Sequence, residues 1–112
     1  MPLRERFQEV ERKVYRSAID KYFSAAQELL AAEKPSDPLT ALNHANKGSE
    51  LASQYGIDAT GQIQTFKDYF SAFIQRKINS LEANAERGEE LFGEVAKMRK
   101  CIEKATELGY ID

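Results

Sequence analysis

Apolar residues recur every three or four positions through the first thirty residues of the chain. This spacing predicts one long amphipathic helix from Leu3 to about Ala32, because side chains three and four residues apart share one face of a helix. We expect that face to be the one that packs on the core. Its members are Leu3, Phe7, Val10, Val14, Ala18, Tyr22, Ala25 and Leu29.

A proline-containing stretch separates this helix from a second one, predicted from about Leu39 to Tyr55. Pro35 disfavours a helical residue before it, and Ser36 and Asp37 offer oxygens that can cap the next helix. Pro38 suits the first helical position, and Gly56 suits the C-terminal cap. The second helix carries small residues that would let another helix approach closely, namely Ala45, Gly48 and Ala52.

Two further helices follow, separated by a break in the sequence "NAERGEE". The third helix begins after Asp58 or Thr60, either of which can cap it, and Gly88 favours its termination. The fourth runs to about Leu108 and ends at Gly109. The apolar positions of the third helix are Ile63, Phe66, Phe70, Phe73, Ile74, Ile78 and Leu81, and those of the fourth are Leu91, Val95, Met98, Ile102 and Ala105.

The pattern as a whole predicts an all-α, single-domain bundle covering residues 1–112. It has four antiparallel helices, or five if the third helix is split. No segment alternates with the period of two that a strand would show. We expect the phenylalanines of the third helix to fill the core, with Phe70 nearly fully buried.

Composition and charge narrow the class of protein. The net charge is −2, whereas a dedicated nucleic-acid-binding domain is usually basic, although a local basic stripe remains compatible with this value. The single cysteine, Cys101, cannot form an internal disulfide, which fits a reducing compartment. The first residues are too charged for a signal peptide, and no run approaches the roughly 18 apolar residues of a membrane span. We therefore expect a cytoplasmic domain.

The residues that usually carry catalysis or bind metals do not form a recognisable set. His44 is the only histidine, and without a partner at ligand spacing it cannot anchor zinc. No histidine lies near Cys101 in the sequence to activate its thiol, so a structural, half-buried thiol is the expectation. The glycines are scattered and form no phosphate-binding loop. We expect no enzyme activity, no cofactor, no metal and no small-molecule substrate.

Charged and aromatic side chains outside the predicted core provide three candidate contact regions. On the fourth helix, three lysines form a stripe that is either solvated surface or a contact for a nucleic-acid backbone. On the third, an aromatic residue and two basic residues form an edge; we predict that the aromatic residue contacts a partner protein and that the basic residues contact a nucleic-acid backbone. One of these basic residues falls where the apolar stripe should continue. On the first helix, two arginines lie on a polar face of mixed charge, which is either solvated or bound by a partner. These residues are Lys97, Lys100 and Lys104; Tyr69, Arg76 and Lys77; and Arg12 and Arg16.

The segment "GIDATGQIQTFKDYFSAF" resembles one found in small subunits of multisubunit CRISPR effector complexes. In that family, a threonine or serine precedes Gln-Ile and a helix with a following phenylalanine; here these are Thr60, Gln62, Ile63 and Phe66. Gln64 stands where the family usually has a basic residue. The resemblance implies a non-catalytic helical subunit of an RNA-guided complex. Such subunits stack as copies, bind larger subunits, and contact nucleic-acid backbones through basic helix faces.

An alternative function involves proteins only. In this interpretation the chain is a helical adaptor, a chaperone or a phage-encoded inhibitor. The edge of its aromatic third helix would then lie in the groove of a partner protein.

Overall fold

The fold is known from a computed structural model, which describes residues 2–31 and 38–111. Helices make up 91% of these residues, which contain no strand, so the prediction of an all-helical chain is confirmed. The predicted stop and caps at Pro35, Ser36 and Asp37 lie outside the described residues. The elements are α1 (Leu3–Ala31), α2 (Pro38–Tyr55), α3 (Thr60–Ala83), a 3₁₀ segment (Ala85–Leu91) and α4 (Phe92–Leu108).

Helices α1 and α2 run antiparallel and pack closely. The Tyr15 ring stacks on that of Tyr55, with the ring centroids 4.0 Å apart. The Phe23 ring lies further along α1 and meets Gly48 of α2, where a Cβ atom would come within 2.8 Å of the ring. The predicted role of small residues in α2 is thus confirmed for Gly48, because only a hydrogen there leaves room for Phe23 in this position.

The connection between α2 and α3 is anchored in the core. Gly56 ends α2 with a positive φ of 66°, as its predicted capping role requires. Ile57 and Ala59 are both buried. Between them, the exposed Asp58 accepts hydrogen bonds from the backbone N–H of Thr60 at 3.0 Å and from its hydroxyl at 2.6 Å. The predicted cap at Asp58 or Thr60 is wrong, because Ala59 is the N-cap residue; Asp58 organises the start of α3 from the position before it.

The aromatic residues of α3 form the centre of the core. Phe66, Phe70 and Phe73 are buried, and Phe70 is completely so, which confirms the prediction for all three. The Phe70 ring centroid lies 5.7 Å from that of Phe66 and 6.4 Å from that of Phe73. Tyr110, beyond the end of α4, is also buried and meets Phe66 edge to face at 5.2 Å.

The predicted break between α3 and α4 is confirmed. Helix α3 ends at Ala83, and the Asn84 side-chain amide donates a hydrogen bond back to the Ser80 carbonyl at 2.8 Å. Gly88 has a φ of 58° and a ψ of −120°, which no helical residue adopts, so the chain is not one helix through this glycine. Gly109 ends α4 with a φ of 81°, as predicted.

The predicted core face of α1 is wrong. Leu3, Phe7, Val10 and Val14 are exposed, and the later members of that stripe are only half-buried. The residues of α1 that reach the core are instead Ile19, Phe23, Ala26 and Leu30. The reason is the position of α2, which covers α1 only from Tyr15 onward and on a different side of the helix.

The molecule is elongated, with extents of 68 × 25 × 18 Å. Helix α1 extends past the C-terminal end of α2. The C-terminal half of α3, with the 3₁₀ segment and the start of α4, extends past the N-terminal end of α2, since Pro38 borders a depression with Lys77 and Lys97. The shared core lies between these two extensions.

Candidate binding surfaces

The first candidate surface is the N-terminal extension of α1, residues 3–14, which we call the arm. Its four large apolar residues, Leu3, Phe7, Val10 and Val14, keep between 50% and 82% of their surface exposed. They have the same 4-3-4 spacing as the four core residues that begin at Ile19, sixteen positions later. Sixteen residues rotate a helix by about 160°, so the two sets lie on nearly opposite sides of α1.

A group of contacts fixes α1 at the base of the arm. Besides the stacked rings of Tyr15 and Tyr55, the Arg12 guanidinium donates a hydrogen bond to the Gly56 carbonyl at 3.5 Å. Partial burial and the neighbouring Glu11 carboxylate raise the pKa of the Tyr15 hydroxyl. The arm therefore leaves the bundle in a defined direction, with its apolar face turned outward.

The second candidate surface lies at the other end, in residues 78–95, which we call the tip. Ile78, Phe92 and Val95 keep between 39% and 66% of their surface exposed. Together with Leu81 and the buried Leu91 they line an apolar groove of about 600 Å³ between α3 and α4. The groove continues along α4 past Met98 to Ile102.

The two surfaces carry opposite charge. At about 100° per residue, the basic side chains Arg4, Arg6 and Lys13 lie within a quarter turn of the arm's apolar face, and among the acidic residues of the arm only Glu11 does so. The tip has five glutamates and a single arginine, Arg87, for a net charge of −4. That arginine forms an ion pair with Glu90 at 2.9 Å.

The predicted lysine stripe of α4 is only partly available for contacts. Lys97 and Lys100 are exposed, whereas Lys104 is half-buried and its ammonium group lies 3.8 Å from the Glu107 carboxylate. An exposed ion pair of this length is weak, so it restrains Lys104 only slightly.

The predicted edge of α3 is exposed, and one member of it borders a depression that α4 also lines. Tyr69 and Arg76 are exposed and lie seven residues apart on one side of the helix. Lys77 lies over the Phe73 ring, with its Nζ 5.8 Å from the ring centroid. Lys77 also shares a depression of about 210 Å³ with Lys97 and Ser80, so two separately predicted basic regions come together there.

The other residues predicted from the sequence do not line the apolar face of the arm or the groove of the tip. Arg16 is exposed on α1, and Arg12 is engaged at the base of the arm. The half-buried His44 faces Tyr22, with ring centroids 6.1 Å apart. Cys101 is completely buried rather than half-buried as predicted, because it lies at the centre of the face that α4 packs on the core.

Within residues 2–31 and 38–111, no group of three or more histidine, cysteine or acidic residues is arranged to hold a metal ion. In the same ranges, no helix combines the length and apolar character needed to cross a membrane. The chain matches no protein-family model, no curated protein and no solved structure. The site assignment therefore depends on the geometry of the chain itself.

Sequence reasoning did not identify the arm and the tip as surfaces. The sequence of α1 did contain a signal for the arm. The set that begins at Leu3 and the set that begins at Ile19 have equal spacing but lie on opposite sides of the helix, so only one of them can face a single core. The tip gave a weaker signal. Ile78 lies well to one side of the line through Phe70 and Ile74, and Phe92 is an aromatic residue in the first turn of α4.

Proposed function

We propose that this antiparallel four-helix bundle is a non-catalytic, cytoplasmic subunit of a larger assembly, which binds other proteins through the arm and the tip. The observation that carries the proposal is the exposure of large apolar side chains at two opposite ends of an elongated molecule. Contiguous apolar patches on soluble proteins commonly mark interaction sites, whereas single exposed apolar residues do not.

The distribution of packing supports an interaction role. The core between the extensions is closed by large aromatic residues, so the fold does not need the arm or the tip to bury its own apolar surface. The arm is nevertheless regular helix with apolar residues in register on one side, and the tip brings apolar residues of α3, the 3₁₀ segment and α4 to one groove. Helical faces of this kind bind in grooves or against other helices.

Affinity purification from the cells that make the protein tests this proposal. The tagged parent should retain other proteins in fixed stoichiometry. A variant with Phe7→Ser and Phe92→Ser should lose at least one of them. Tyr69→Ser removes an aromatic side chain of similar exposure from the predicted α3 edge and should keep the proteins that the double variant loses, which separates the arm and the tip from that edge. Identical sets of proteins bound to the parent and to the double variant would contradict the proposal.

A second candidate function is contact with a nucleic-acid backbone, as expected for a small subunit of an RNA-guided CRISPR complex. The specific observation in its favour is that Lys77 and Lys97 approach one depression from different helices, with Lys100 exposed nearby on α4. Lysine meets phosphate as a point charge, so such a contact would carry no base specificity.

Charge reversal of the α4 lysines tests this second function. Replacing Lys97, Lys100 and Lys104 by glutamate should leave the fold intact. Lys97 and Lys100 are exposed, where a substitution usually changes stability by within about 0.5 kcal/mol, and the half-buried Lys104 loses only a weak ion pair with Glu107. Binding of single-stranded RNA and DNA, measured by electrophoresis across salt concentrations, should weaken for every sequence alike and depend less on salt. If the affinity for nucleic acid and its salt dependence are unchanged, the nucleic-acid function is contradicted and the function that involves only proteins remains.

A further inference from the structure

We infer that one protein bound by the arm and the tip is a second copy of this chain, with the arm of one copy lying in the tip groove of the next. This inference rests on the proposed assembly function and names a partner for its two surfaces. Two different surfaces meet at this interface. Each copy therefore has one arm that can bind a neighbour and one groove that can bind a neighbour's arm.

The two surfaces match in length and composition. The apolar face of the arm runs from Leu3 to Val14, about 16 Å along the helix, and the groove along α4 runs from Phe92 to Ile102, about 15 Å. The arm presents only aliphatic and phenyl side chains on this face, and the groove is lined mainly by such side chains. A two-heptad apolar seam of this kind suits packing against two further helices, which α3 and α4 supply.

Charge selects the arm-to-tip pairing over the alternatives. The basic side chains beside the arm's apolar face would approach the glutamates of the tip, including Glu82, which lines the groove. The far part of the groove is lined by one basic and one acidic residue, Arg99 and Glu103, so the attraction is concentrated at the tip. Pairing two arms would bring together the basic side chains beside their apolar faces. Pairing two tips would bring together two regions that each have a net charge of −4. Like charges at an interface oppose association, so both symmetric arrangements are disfavoured.

The arrangement leaves a free arm at one end and a free groove at the other. Association between unlike surfaces continues into a chain of copies unless the geometry closes a ring. One helical face buried in one groove is an interface at the lower end of the range for specific complexes, near or below about 1,200 Å². We therefore expect reversible association that depends on concentration and is lost on dilution.

Sedimentation analysis of the purified parent is the first part of the test. The average mass should rise beyond that of a dimer or level off at a ring as the concentration is raised from about 5 µM to about 500 µM. Raising the salt concentration from about 50 mM to about 500 mM should weaken the association, because opposite charges meet at the interface. A parent that stays monomeric at the highest concentration would overturn the inference.

Two variants and their mixture provide the second part. The arm variant carries Phe7→Ser and Val14→Ser, and the tip variant carries Phe92→Ser and Val95→Ser. Each should associate at least about ten-fold more weakly than the parent, because each lacks one of the two surfaces. An equimolar mixture should form a one-to-one dimer and nothing larger, since the arm variant retains a groove and the tip variant retains an arm.

Circular dichroism of each variant checks that its helices are retained, and Tyr69→Ser should associate like the parent. A mixture that remains monomeric, or either variant alone associating as strongly as the parent, would overturn the arm-to-tip arrangement. These outcomes are separate from the test of the proposed function. A chain that does not bind itself but loses another protein when Phe7 and Phe92 are replaced would retain that function with a different partner.

Discussion

The two halves of α1 differ in what covers them, although their apolar residues have the same spacing. In the C-terminal half, Ile19, Phe23, Ala26 and Leu30 are buried against the rest of the bundle. In the N-terminal half, the equivalent set of Leu3, Phe7, Val10 and Val14 is exposed. Spacing alone therefore predicts a helix with an apolar side. Which side becomes core depends on where the neighbouring helices lie.

The two halves of this one continuous helix also differ in role: the C-terminal half stabilises the fold, and we propose that the N-terminal half binds other proteins. The C-terminal half meets α2 at a distance that requires glycine at Gly48, and it contributes to a single closed core. The N-terminal half contributes little to that core. Changes in the N-terminal half should therefore alter association and leave stability unchanged, and changes in the C-terminal half should lower stability.

The largest effect should follow from removing a ring in the buried set. Phe23→Ala should lower the free energy of unfolding by about 3–5 kcal/mol, because it removes a buried ring and leaves a cavity beside Gly48. Chemical denaturation monitored by circular dichroism measures the change. A loss below about 1 kcal/mol would show that Phe23 does not belong to the core.

A smaller effect should follow from adding a methyl group where α1 and α2 are closest. Gly48→Ala gains up to about 1 kcal/mol in helix propensity, but overpacking against Phe23 costs about 1–3 kcal/mol. The expected result is a net loss of up to about 2 kcal/mol in the same denaturation experiment. Gly61→Ala, where nothing lies within 4 Å of the added carbon, is the control and should not destabilise the fold. Equal stabilisation by both substitutions would contradict the close approach.

The matched substitution in the arm should leave stability nearly unchanged. Phe7→Ala removes the same side chain at the same place in its apolar set, yet the ring is mostly exposed. At a protein concentration low enough to keep the chain monomeric, the free energy of unfolding should change by no more than about 0.5 kcal/mol. A loss comparable to that of Phe23→Ala would mean that the arm folds back on the bundle in solution.

The smallest effect concerns the boundary where α3 begins, close to the base of the arm. Hydrogen bonds from Thr60 hold the pKa of Asp58 below its ordinary value of 3.8. The carboxylate therefore contributes stability above pH 3.8, and this contribution is lost as the pH falls through the lowered pKa. The melting temperature of the parent should exceed that of Asp58→Ala slightly at pH 7, and the difference should shrink in acid. A difference that grows in acid would contradict the assignment.

Helix boundaries and the aromatic core could be predicted because their signals are local. Gly56, Gly88 and Gly109 act through the backbone conformation that glycine permits, and Phe66, Phe70 and Phe73 recur at helical spacing on one face of α3. The two binding surfaces could not be predicted in the same way. Their exposure depends on the relative lengths of the helices and on the side of α1 that α2 covers, and both are properties of the assembled fold.

Amide hydrogen exchange at two protein concentrations tests the central claim most directly, because it reports on the ends and the middle in one experiment. In dilute solution, the arm and the tip should exchange faster than residues 66–74 of α3, since helices without packed neighbours open easily. At high concentration, protection should increase in residues 3–14 and 78–102 and stay constant in residues 66–74. Increased protection confined to the middle, or ends that exchange alike at both concentrations, would contradict the account.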